Sequence, residues 1–131
     1  MFSFILEFFS NLLSIRVSDT ALQISKEAFD FTKDNISVSS TRFTSKELDS
    51  PQGKELIRQI TLMRKQLKDT TEYTLDYIHS VAKLALKYKV GNCFEKTCVV
   101  AWYIHTEATK KNTPITFEIF RQFHQFIIHH F

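Results

Sequence analysis

Two side chains in this sequence could together act as a thiol nucleophile and its base: Cys93, in the stretch KVGNCFEKTC, and His124, in FHQFIIHHF. Asn92 before the cysteine and Glu95 three residues after that asparagine form an Asn-x-x-Glu variant of the capping box, which marks the start of a helix. Backbone N–H groups at such a start lack internal partners, so a thiol placed there sits in a field that favours its thiolate. A histidine on a separate rigid element could take the proton, which is the arrangement of nucleophilic catalysis by cysteine.

The elements that would hold these groups follow from spacing. From Asn92 the pattern predicts a helix through CFEKTCVVAWYIHTEATK. Cys98 to Ile104 is apolar on all sides, so as a helix it must be buried. Upstream, Ser50-Pro51 is a strong start, with Ser as cap and Pro in the first turn. Leu56, Ile57, Ile60, Met63 and Leu67 recur beyond it at steps of three and four. KDTTEYT then breaks the pattern, with Thr70 or Thr71 as the next cap. Thr74, Ile78, Val81, Ala82 and Ala85 make the following inner stripe, and Gly91 is the expected positive-φ residue that closes it. The short connection predicts an antiparallel helical hairpin. Nearer the N-terminus, Asp19 is a candidate cap for a helix whose apolar face reads as Leu22, Ala28 and Phe29, followed by a Ser/Thr-rich linker from Asn35 to Ser50. Toward the C-terminus, Ile115, Phe117 and Ile119 alternate with Thr116, Glu118 and Phe120 as in a half-buried strand, and FHQFIIHHF reads as a second. The expected fold class is therefore α+β: a helical hairpin and a buried central helix against a short antiparallel sheet. Residues 1–49 would form an apolar arm and polar linker, and residues 50–131 the domain proper.

Composition bounds the reading. A chain of 131 residues, 44% hydrophobic with thirteen phenylalanines, makes one packed domain more plausible than disorder. Two glycines and two prolines are few for an all-β protein. The net charge of +3 is mild and its basic residues are scattered, so no nucleic-acid partner is expected. Cys93 and Cys98 would point different ways on one helix, which predicts no disulfide and fits a reducing, cytoplasmic compartment. No histidine stands at metal-ligand spacing from a cysteine, so neither a metal nor any other cofactor is expected, and His79 and His105 receive no role. The opening MFSFILEFFSNLLSI is apolar but interrupted by Glu7 and shorter than the roughly 20 residues that span a bilayer. Two readings of residues 1–15 stay open: a helix packed on the core, or an interfacial helix on a membrane or protein partner.

The order of cysteine helix, strand and histidine strand resembles the papain-like and transglutaminase-like superfamily. GNCFE (Gly91 to Glu95) followed by HQFII (His124 to Ile128) is similar to a Gly-Asn-Cys-Gly-Glu helix and a His-x-Phe-x-Val-Ile strand of bacterial cysteine-hydrolase-like proteins, some of them effectors of intracellular bacteria. The likeness covers about residues 88–131. It implies Cys93 as nucleophile and His124 as base, with the Cys93 backbone N–H and the side chain of Asn92 or Gln125 at an oxyanion, and Glu95 bracing the turn. It implies a peptide or protein substrate attacked at a peptide or amide bond, in the cytoplasm or in a host cytosol after export. Two departures stand out. Phe94 replaces the motif's second glycine, and no Asp or Asn strand follows the histidine, which implies a truncated or degenerate copy. The rival expectation is a noncatalytic interaction protein that uses the apolar arm and the open sheet edge to hold a partner, a membrane surface or a second copy of itself.

Overall fold

A computed structural model describes residues 19–67, 74–115, 117–122 and 125–130, the last two segments as backbone. Among them lie five α-helices: α1 (Asp19–Asn35), α2 (Ser45–Leu48), α3 (Pro51–Lys65), α4 (Leu75–Tyr88) and α5 (Cys93–Lys110), with a 3-10 turn at Ser40–Arg42. Strands β1 (Phe117–Gln122) and β2 (Gln125–His130) pair as one antiparallel hairpin, Phe117 opposite His130 and Gln122 opposite Gln125.

The α+β expectation, with its incomplete papain-like core, is overturned. The molecule is mostly helical, and every residue of the described core sits on a helix or in the segments beside one. Among the described residues the hairpin meets α5 through β2, and no wider sheet is formed. One core cluster joins Leu56, Ile60 and Met63 of α3 to Ile78, Val81, Ala82 and Ala85 of α4 and to Cys98, Val99 and Ala101 of α5. A second joins Ile24 and Ala28 of α1 to Val100 and Ile104 on the opposite side of α5. Alternating strands were the basis of the α+β reading, but two paired strands make a hairpin and not the layer a sheet-backed fold requires.

Local chemistry explains the elements. Ser50 accepts a hydrogen bond from Gly53 N at 3.1 Å and Pro51 opens α3 without wasting a donor. Ile57, counted in its apolar stripe, is 44% exposed, because the stripe turns through Leu56, Ile60 and Met63. The cap of α4 is Thr74 and neither Thr70 nor Thr71, which lie outside the described residues. Thr74 Oγ1 accepts from Tyr77 N at 3.2 Å, and Asp76 stands in the first turn where the helix dipole favours a carboxylate. Lys89, not Gly91, takes the left-handed conformation after α4, with φ 56°. Gly91 is small for another reason: a Cβ there would stand 2.7 Å from Cβ of Glu95.

The buried face of α1 is Ala21, Ile24, Ser25, Ala28 and Thr32, while Leu22 and Phe29 point outward at 43% and 42% exposure. Small residues let α1 approach α5 closely. The hydroxyls of Ser25 and Thr32 are satisfied inside the helix, donating to Ala21 O and Ala28 O at 2.8 Å each. Phe31 reaches past them to the rings of Trp102 and Tyr103, at 6.0 and 5.0 Å between centroids. No described helix is long and apolar enough to cross a membrane.

Candidate functional site

Cys93 opens α5 as its first residue and is exposed, whereas Cys98 is wholly buried one and a half turns on. Burial pushes the Cys98 thiol far above the ordinary range, with the nearby Glu95 carboxylate adding to it. Only Cys93 of the two is placed for chemistry with a solute.

The residues around Cys93 are occupied with structure. Glu95 is completely buried, and its carboxylate accepts from Arg64 Nε at 2.7 Å and from Arg64 Nη2 at 3.2 Å, a two-point ion pair that ties α5 to α3. Its Oε2 also accepts the backbone N–H of Asn92 at 2.9 Å, the arm of the capping box expected from the sequence. The Asn92 side-chain oxygen accepts from Ser39 Oγ at 3.0 Å, Ser40 N at 3.0 Å and Ser40 Oγ at 2.9 Å. It therefore anchors the segment between α1 and α2. Alongside, Val38 and Val90 make a parallel bridge, and Gly91 N donates to Val38 O at 3.2 Å. Ser39 and Ile36 are both buried by this contact.

Phe94 belongs to the packing between helices. Its ring is stacked 6.4 Å from Tyr77 of α4. Lys96, one turn after Cys93, has its ammonium held below the ordinary range by partial burial and then by Arg42, while Cys93 acts in the opposite sense. Two cationic side chains, Arg42 and Lys96, therefore share the surface beside the thiol.

Of the residues expected to form a catalytic centre, the structure brings Cys93, Asn92 and Glu95 into one turn. Gln125 is the first residue of β2, opposite Gln122, and is described as backbone only. His124 and residues 1–15 lie outside the described residues. Sequence reasoning missed Arg64, Ser39 and Ser40, the partners that decide what Glu95 and Asn92 do. No local pattern could reveal them, because all three come from other elements. Among the described residues no group of three or more His, Cys, Asp or Glu side chains could hold a metal ion. No protein-family model matches the chain, no curated protein matches it in sequence, and no solved structure matches its fold.

Proposed function

We propose that this chain is a noncatalytic interaction protein, and that the Gly-Asn-Cys turn is a structural joint. The observation that carries this reading is the engagement of both polar neighbours of Cys93: Glu95 with Arg64 and Asn92 N, and the Asn92 oxygen with Ser39 and Ser40. A catalytic turn needs polar groups held ready for a reacting atom. Here they fasten α3 and the segment between α1 and α2 to one helix end. The surfaces left for a partner are apolar ones, among them the exposed Ile57 and Leu62 of α3.

A second reading, a cysteine-dependent hydrolase or transferase acting on peptide or amide bonds, is favoured by the exposure of Cys93 alone. Alkylation by iodoacetamide as a function of pH separates the two. For an interaction protein the Cys93 profile is the same with and without His124→Ala. A profile that moves to higher pH in that variant establishes a working thiol-imidazole pair and removes the noncatalytic reading. Its positive half is read by sedimentation over a range of concentrations and by flotation with vesicles of zwitterionic and anionic lipid. Association or flotation that weakens in Ile57→Glu/Leu62→Glu is the expected result, and the absence of both in the wild-type chain counts against it.

A further inference from the structure

The seam between α4 and α5 brings together two imidazoles that no sequence spacing links. His79 of α4 and His105 of α5 stand 5.2 Å apart between ring centroids, tilted by 56°. Both are half-buried. The Nε2 atom of His79 is buried and has no hydrogen-bond partner among the described residues. A buried ring nitrogen without a partner is uncommon, because desolvating a polar atom costs free energy that a hydrogen bond normally offsets.

We propose that His79 and His105 form a clamp for one first-row transition-metal ion that favours imidazole, of which Ni²⁺ and Cu²⁺ are the test ions. The spacing fits such an ion. A metal bonded at about 2.1 Å to a ring nitrogen lies about 3.2 Å from that ring's centroid, so two rings on one ion at a tetrahedral angle stand about 5 Å apart. The orphaned nitrogen of His79 is then a ligand without a bond to surrender. Burial, and then the facing His105, hold the His79 imidazole below its ordinary range. Asp76, one turn before His79, adds a negative charge, and Lys83, one turn after, opposes it. His105 also lines an open recess with Ile104, Ala108 and Asn112, so this residue of the pair borders solvent. Two protein nitrogens leave the remaining coordination positions to water. The clamp therefore differs from a closed four-ligand structural site, and its ion exchanges with solution.

The test uses the full chain with Cys93→Ser, so that the exposed thiol takes no metal. Titration with NiCl2 is expected to show one ion per chain, and the unfolding temperature is expected to rise with metal concentration. His79→Gln and His105→Gln each weaken that binding by about tenfold or more, while His124→Gln, His129→Gln and His130→Gln leave it in place. A chain that binds no ion, or one that binds it equally well in either seam variant, overturns the proposal. Should a seam variant fail to fold, the Cys93→Ser chain still decides. Substoichiometric Cu²⁺ is expected to broaden the ring NMR signals of His79 and His105 first, and broadening confined to other histidines overturns the clamp.

Discussion

Two polar intrusions enter the helix seams of this molecule, and they differ in one respect. Where α3 meets α5, Glu95 is buried with its carboxylate bonded to Arg64 and to the Asn92 backbone. Where α4 meets α5, His79 is placed beside His105 with a ring nitrogen that finds no hydrogen-bond partner among the described residues. A saturated cluster has no capacity left for a ligand, and its bonds go into fixing how helices and loops meet. An unsaturated one keeps capacity and carries a desolvation cost until something occupies it. The motif that drew attention in the sequence turns out to be of the first kind, and the site with unmet valence lies elsewhere.

The comparison is broken most forcefully at Arg64. Arg64→Met leaves the Glu95 carboxylate buried without its cation, and the expected loss of unfolding free energy is about 3–5 kcal/mol, read from urea midpoints. Adding Glu95→Met removes the stranded charge, so the double variant is expected to regain more than about 1 kcal/mol of that loss. Strict additivity of the two substitutions would show that the pair does not act as a unit. Asn92→Ala comes next. It removes the acceptor for three hydrogen bonds from Ser39 and Ser40, and a loss of about 1–2 kcal/mol is expected, with hydrogen exchange rising first at Ser40 N.

Much of the helical core was legible because periodicity and caps are local. Ser50-Pro51 announced α3, the stripe of Ile78, Val81, Ala82 and Ala85 announced α4, and Asn92 with Glu95 announced α5 as a helix where its β-branched run allowed a strand. What failed has physical causes. The inner face of α1 uses Ser25 and Thr32, whose hydroxyls fold back on their own helix, so it reads as polar while the exposed Leu22 and Phe29 read as core. Gly91 reads as a helix stop, yet its lack of a side chain serves close packing on Glu95 and Lys89 makes the left-handed turn. The α+β class failed because alternation shows that a strand can form and not that a sheet supplies the core. At the candidate site, the Asn92–Glu95 bond was readable as a cap. Arg64, Ser39 and Ser40 were not, since their contacts join segments far apart in the chain, as does the meeting of His79 with His105.

The two cysteines restate the comparison at a smaller scale. Cys98 is buried and its thiol is held neutral well above the ordinary value of 9.0. Folding thus raises its pKa, so the native chain keeps a proton that the unfolded chain gives up. Its contribution is fully present below the unfolded value and is lost as pH rises beyond it. Between pH 9 and pH 10 the wild-type chain is expected to lose up to about 1 kcal/mol more stability than Cys98→Ala, measured as the difference between their urea curves at each pH. Equal slopes would mean that Cys98 titrates alike in both states.

Cys93 lies at the other extreme. It is exposed, no hydrogen bond of the joint runs through its sulfur, and Phe94 and Glu95 on either side of the helix turn make the contacts that hold α5 in place. Cys93→Ser is therefore expected to change stability by less than about 0.5 kcal/mol while leaving the Arg64→Met loss at full size. If Cys93→Ser instead costs as much as Asn92→Ala, the sulfur belongs to the joint. The division between a saturated polar node and an exposed thiol outside it would then have to be redrawn around residue 93.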